Sequence, residues 1–392
     1  MAPAPSMRPL AKAWTTPVER PSSLVSATKV RLLNEDGDIA RPSDWTASDR
    51  SRLWLYTLHY FDDLAAPACR EKDLWRRALV SRWIAENPPA AGVGWEPYPT
   101  SRRIVNWIKW ALSGAPMAPA WLQSLAIQTR ALEQRLEWRL LGNHLLANAK
   151  ALIFAGLFFE GAEAIRWLSR GLALWSRELG EQILPDGGHF ERSPMYGALV
   201  LEDILDVMNL ARAFGAPRPE VIEDWAAVAD RMRTWLAAMT HPDGEIGYFN
   251  DAASGIAPRP GALDAYVQRL GLPGVNPPRQ GATWLETSGY GRLATADAVA
   301  LLDIAPVGPD HLPGHATRIR CRSSSPSETS GSSSTAARAS MARVPSAPSN
   351  GPPPRTARWR STGETPPRCG PASASVGARG CGTSPSRRTM AP

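Results

Sequence analysis

Cysteine is scarce in this chain of 392 residues: there are four, Cys69 in the body and Cys321, Cys369 and Cys381 near the end. No Cys-x-x-Cys or mixed Cys/His ligand spacing occurs, so neither a disulfide framework nor a zinc ribbon is indicated. No stretch approaches 18 uninterrupted apolar residues, so no membrane span is expected. The opening MAPAPSMRPLAKAWTTP lacks the continuous apolar segment of a secretory leader, which reads as unexported and cytoplasmic if that start is the true one. Lysine and acids are missing from one region only. Residues 317–392 hold twelve Arg, no Lys and two acids (Glu328 and Glu364), a net of +10, so the whole-chain +7 leaves residues 1–316 at −3. The basic balance belongs to the tail, and nucleic acid is not expected as a partner.

β patterning is also sparse over most of the chain. Residues 1–45 form a Pro/Ser-rich extension with one short strand at Lys29–Leu33. The helical period then runs from about Ala47 through Leu53–Leu64, Leu74–Ile84, a third helix capped by Ser101, Ala120–Leu141, Leu145–Glu160, Glu163–Leu184, Pro194–Phe214 and Pro219–Met239. Eight or nine helices joined by short connections, with ten of the sixteen Trp (Trp75, Trp83, Trp107, Trp110, Trp121, Trp138, Trp167, Trp175, Trp225 and Trp235) placed inside them as core fillers, imply a mainly α fold. Helical hairpins without a fixed repeat length point to an incomplete α/α toroid, over residues 46–243. Residues 244–316 shift to short β-like runs, at Glu245–Asp251, Ser288–Leu293 and Ala298–Leu302, which read as the start of a truncated antiparallel β-sandwich. Residues 317–392 read as disordered low complexity. Back-translated with GC-rich codons and shifted by one base, they yield alternating β-like text, which implies a frameshift near Ala316.

Chemistry concentrates between Leu141 and Gly197, where Asn143, His144, His189, Glu191, Arg192 and Tyr196 stand at points where helices start or stop. Scaffolded helix mouths hold polar groups within reach of solvent and substrate. Trp95, Tyr98 and Arg102 offer aromatic faces and a guanidinium suited to sugar rings and carboxylates. Plainer alternatives stand beside these. Asn143 can be an N-cap, His144 a packed histidine, and Tyr196 an anchor in the first turn after Pro194. His189, Glu191 and Arg192 can brace a loop or orient the tyrosine, and Trp95–Arg102 can be an aromatic loop packed on the helices.

The motifs LWLYTLHYFDDL (53–64), GWEPYPTSRRIVNWIKW (94–110), GNHLLANAKALIFAGLFF (142–159), DGGHFERSPMYG (186–197) and GPDHLPGHA (308–316), in this order, resemble the heparinase II/III-like polysaccharide lyases. The likeness is to the bacterial branch found with exopolysaccharide genes. It implies an α/α toroid followed by a β-sandwich, with an acidic polysaccharide bound between them and cleaved by β-elimination next to a uronic acid, as in a glycosaminoglycan. By the same resemblance Asn143 neutralises the uronate carboxylate, His144 is base or carboxylate contact, and Tyr196 is acid and in some cases also base. A phenolate Tyr196 would need a cationic neighbour such as Arg192. His315 matches the point where a histidine enters the cleft from the sandwich. No cofactor is expected, although family members can hold a structural metal in the sandwich. Periplasmic placement follows from the resemblance. Two other functions remain in view: a glycan-binding toroid without turnover, and an α/α-toroid glycoside hydrolase, for which Glu191 lacks an obvious carboxylate partner.

Overall fold

A computed structural model describes residues 2–304, apart from 68, 140, 141, 216–218 and 277, together with the backbone of Arg322–Ser324. The chain begins as an extended strap. Arg8 N donates to Phe158 O at 2.8 Å, Ala11 N to Ala213 O at 2.8 Å, and Asn209 Nδ2 to Thr15 O at 2.7 Å. The strap then turns into a two-stranded hairpin, β1 (Lys29–Leu32) paired antiparallel with β2 (Glu35–Asp38). The hairpin thus replaces the single strand expected from sequence.

Nine α-helices follow among the described residues: α1 (Arg52–Tyr60), α2 (Arg70–Glu86), α3 (Pro97–Leu112), α4 (Pro119–Glu133), α5 (Gly142–Phe158), α6 (Ala162–Gln182), α7 (Pro194–Phe214), α8 (Pro219–Ala238) and α9 (Pro260–Arg269). Proline occupies the first turn of α3, α4, α7 and α9, where its fixed φ suits the helix and its missing N–H costs nothing. The third helix therefore starts at Pro97 and not at Ser101. Ser101 is buried inside α3 and accepts a hydrogen bond from Asn148 Nδ2 at 3.0 Å. Helix α9 had no clear signal in the sequence.

Helix α5 is the centre of the helical layer, buried at every residue from Leu145 to Phe158. Its partner α6 buries one face at helical spacing, through Ala164, Trp167, Gly171, Leu174, Trp175 and Glu178. The two helices approach so closely that a Cβ on Gly156 would lie 2.5 Å from the backbone nitrogen of Leu168. Seven indoles form much of the core; Trp45, Trp54, Trp83, Trp107, Trp167, Trp175 and Trp235 are all essentially inaccessible. Trp138 is the exception among the helix-assigned tryptophans. It lies beyond the end of α4 and is 46% exposed.

A layer of buried ions ties three helices together. Lys109 of α3 meets Asp206 of α7 at 2.9 Å, and Lys150 of α5 meets Asp203 and Asp206 at 2.6 and 2.7 Å. Burial opposes the Lys150 charge, yet Asp203 and Asp206 hold its pKa above the ordinary value. Breaking one member of such a set leaves an uncompensated buried charge, so the layer fixes how α3, α5 and α7 sit relative to one another.

The C-terminal described part is an antiparallel sheet in the order β3 (Gly281–Leu285), β4 (Tyr290–Ala294), β5 (Val299–Asp303) and β6 (Arg322–Ser324). The mainly α chain followed by a small antiparallel sheet is the architecture the sequence implies. Two details differ. Glu245–Asp251 forms no strand but a single bridge, Thr240 with Ile246, and the pairing of β6 with β5 places three tail residues in the sheet. The rest of the tail, with the disorder and frameshift expected for it, lies outside the described residues. The sheet is fastened to the helical layer: Arg292 Nη1 donates to Ala238 O and Thr240 O at 3.0 and 2.8 Å, and Ser288 N and Oγ both donate to Asp186 Oδ2 at 2.8 Å.

Candidate active site

A cleft of about 910 Å³ opens at the N-terminal mouths of α3, α5 and α7. Asn143, His144, Tyr98, Arg102 and Tyr196 all line it, together with Tyr56 and Tyr60 of α1 and the loop from Asp251 to Ile256. Five of the residues singled out in the sequence are thus brought into one hollow, from three helices more than forty residues apart.

Asn143 and His144 lie in the first turn of α5, which begins at Gly142. Asn143 is therefore a first-turn residue and not the cap of a helix starting at His144. His144 is half-buried and its Nδ1 lies 3.0 Å from Glu137 Oε1, while its ring rests on Tyr98 with centroids 4.5 Å apart. Glu137 is itself anchored, since Asn148 Nδ2 donates to its other oxygen at 3.0 Å and Glu137 N donates to Asn148 Oδ1 at 2.9 Å. A carboxylate on one ring nitrogen fixes the imidazole's orientation and leaves the other nitrogen for substrate. Glu137 and Asn148 had no visible signal in the sequence, because their role depends on a contact across the turn between α4 and α5.

The aromatic lining continues away from His144. Tyr98 meets Tyr60 edge-on at 5.7 Å, and Tyr60 meets Tyr56 at 6.5 Å. Burial, first of all, pushes Tyr56 up to about 12 and raises Tyr60 and Tyr98, so these phenols stay neutral. Arg102 lies over the Tyr60 ring at 5.8 Å and pairs with Asp62 at 3.3 Å. Burial works against the guanidinium charge, but Asp62 leads the neighbours that keep Arg102 firmly protonated.

Tyr196 follows Pro194 in the first turn of α7, where Ser193 caps the helix by accepting from Tyr196 N. Its hydroxyl donates to Asp251 Oδ2 at 3.0 Å. Burial first, and then the Asp251 carboxylate, hold the phenol well above its ordinary value of 10. Glu191 acts in the same direction as Asp251, so these neighbours favour the neutral phenol over a phenolate. Asp251 was missed because its role is tertiary. It stands at φ 60 directly after Asn250 at φ 46, two successive left-handed residues, a conformation that Asn and Asp tolerate better than other side chains.

Trp95, His189, Glu191 and Arg192 sit behind the cleft. Trp95 is 4% exposed and belongs to the core, with its ring 5.6 Å from Trp83 and its Nε1 donating to Asn87 O at 3.3 Å. His189 and Glu191 are buried as well. The His189 ring lies 5.8 Å from that of Tyr196, its Nε2 is 3.3 Å from Gln182 Oε1, and its Nδ1 accepts from Glu191 N at 3.4 Å. They back the tyrosine and do not face the cleft. Arg192, in a left-handed conformation at φ 58, contributes its carbonyl, which accepts from Tyr290 Oη at 2.5 Å and Asn250 Nδ2 at 3.2 Å. His315 and His311 lie outside the described residues. Among the described residues, no three His, Cys, Asp or Glu side chains gather as metal ligands, and no helix is long and apolar enough to cross a membrane.

The family model described as Heparinase II/III N-terminus matches residues 43–259, more than half of the chain and all of the cleft's helical wall. The chain belongs to this family. A heparin-sulfate lyase of Bacteroides stercoris is 34% identical over 112 residues, 28% of this chain and 17% of that protein. The FtsZ-localized protein C of Caulobacter vibrioides is 29% identical over 234 residues, 56% of this chain and 37% of that protein. The chain therefore spans well under half of the curated relatives it matches. The crystal structure of heparinase III superposes with a TM-score of 0.53 at 21% identity, covering 68% of this chain and 48% of that one, which is a likeness of fold.

Proposed function

We propose that the chain carries the helical wall of a polysaccharide lyase that cleaves a uronic-acid-containing glycan, such as an acidic exopolysaccharide outside the cytoplasm, by β-elimination. The observation that carries this reading is the convergence of Asn143, His144 and Tyr196 on one cleft lined by aromatic rings. Elimination requires the uronate carboxylate to be neutralised, the C5 proton removed and the O4 leaving group protonated. The Asn143 amide suits the first task, since a preorganised donor stabilises the enolate-like charge as it forms. Tyr196, kept as a phenol, suits delivery of a proton to O4. The relatives named heparin-sulfate lyase support the same substrate class.

Hydrolysis is less well supported. A glycoside hydrolase needs one carboxylic acid held protonated opposite a second carboxylate. Burial works against ionisation of Asp62, but Arg102 and Asn106 hold its pKa below the ordinary value, so it stays a carboxylate. A glycan-binding role without turnover would use the same aromatic-lined cleft. Incubation of the full chain with heparan sulfate and with a β-1,4-glucuronan separates the readings. Elimination produces the ultraviolet absorbance of an unsaturated uronate, and Tyr196→Phe removes it by about 10²-fold or more. Undiminished turnover in Tyr196→Phe overturns the assignment, and binding without absorbance favours the second reading.

A further inference from the structure

Asp251 is built into the cleft with more care than a passive hydrogen-bond acceptor needs. It lines the cleft, accepts from Tyr196 Oη at 3.0 Å, and stands on two successive left-handed residues. That strained turn is held from outside. Asn250 Nδ2 donates to Arg192 O at 3.2 Å, to Tyr290 Oη at 2.9 Å and to Asp303 Oδ2 at 3.3 Å, while Tyr290 Oη donates to Arg192 O. Strands β4 and β5 and the turn before α7 therefore aim one carboxylate at one phenol. Unfavourable backbone conformations persist where the surroundings over-determine them, and they cluster at working sites.

We propose that Asp251 is the terminal proton carrier of the elimination, acting through Tyr196; this rests on the lyase reading given above. The C5–H bond breaks as its proton passes to Tyr196 Oη, and the phenol's own proton passes at the same time to Asp251 Oδ2. The electron pair of C5–H becomes the C4–C5 double bond as the C4–O4 bond breaks. Tyr196 then gives a proton to O4 and recovers one from Asp251, so the pair ends as it began. No free phenolate is formed beside a carboxylate at any point, which removes the obstacle that burial and Asp251 raise against an ionised Tyr196. A positioned carboxylate is a sufficient base for a proton next to a carbonyl group. The Asn143 amide is then left to hold the substrate carboxylate, with His144 beside it in the cleft.

Asp251→Asn distinguishes this from anchoring alone, because the amide oxygen still accepts from the phenol but cannot take its proton. In the full chain acting on heparan sulfate or β-1,4-glucuronan, we expect kcat to fall about 10²- to 10⁴-fold, KM to change little, and Asp251→Glu to recover part of the loss. A kcat within twofold of the parent in Asp251→Asn overturns the proposal. The second arm needs no turnover: the phenolate absorbance of Tyr196, isolated by subtracting Tyr196→Phe, is titrated in each variant. Groups facing this phenol include Asp251 from its loop, His189 and Glu191 from the turn before α7, and Tyr98 from α3. Asp251→Asn should lower the ionisation by about one pH unit or more and Asp251→Glu should restore it; an unmoved titration overturns the pairing. A full chain without turnover on either polymer counts against the lyase reading, and the titration then decides for or against Asp251.

Discussion

Arg102 and Arg103 are neighbours on α3 and face opposite worlds. Arg102 lines the cleft, lies over Tyr60 and pairs with Asp62. Arg103 is fully buried, 3.8 Å above the Trp83 ring, with Nε donating to Gln128 Oε1 at 2.9 Å and Nη1 to Gly94 O at 2.8 Å. Two histidines repeat the contrast. His144 rests at the cleft on Tyr98, whereas His59 is sealed between Trp45 O and Trp83 Nε1, at 3.0 Å from each. The same side-chain types line the open cleft on one face and fill the core on the other. Partner chemistry separates the two uses: a carboxylate orients the imidazole and the guanidinium at the mouth, while neutral carbonyls, amides and indoles saturate them in the core.

Substitution should break the pairs unequally. The largest effect is expected for Arg103→Ala, which removes a packed, hydrogen-bonded side chain from the core. A loss of about 2–5 kcal/mol in chemical unfolding is expected, and a loss below that range would show that the core closes over the gap. His59 should come next, in a pH-dependent form. Burial first, and then the Arg103 charge, push its imidazole down to about 3, while the unfolded chain binds that proton near pH 6.5. The stabilisation from keeping it neutral is therefore complete above pH 6.5 and is lost as the pH falls toward 3, at up to about 1.4 kcal/mol per unit. His59→Gln should flatten this acid limb in urea titrations.

Arg102→Ala should raise KM about tenfold, the loss of one hydrogen bond to a charged group, with a smaller drop in stability than Arg103→Ala. A reversed order would place Arg102 with the core. The smallest effect is expected at Trp138, whose exposed ring should allow Trp138→Ser within about 0.5 kcal/mol, in contrast to the buried indoles.

Much of this division was legible in sequence, and the failures have a common cause. Helical periodicity and first-turn prolines located most of the long helices to within a few residues, but the helix expected over Ala120–Leu141 ends at Glu133. Asn143, His144 and Tyr196 were found because helix mouths are marked locally by Gly142, Ser193 and Pro194. Trp95 and Tyr98 were read alike, since a Pro-rich aromatic loop does not announce which ring turns inward. Ser101 resembled a cap but sits in the buried register of α3. Glu137 and Asp251 had no signature of their own. Each becomes meaningful only when a distant element, α5 or the sheet, brings it against His144 or Tyr196.

The strap at the start of the chain has a consequence for synthesis. Its residues bond to the ends of helices made much later; Arg269 Nε donates to Thr16 O across 253 positions. At ordinary elongation rates of about 5–20 residues per second, the strap waits roughly 10–50 s for that partner. During that interval the helical layer forms without the bonds that join the strap to the end of α9.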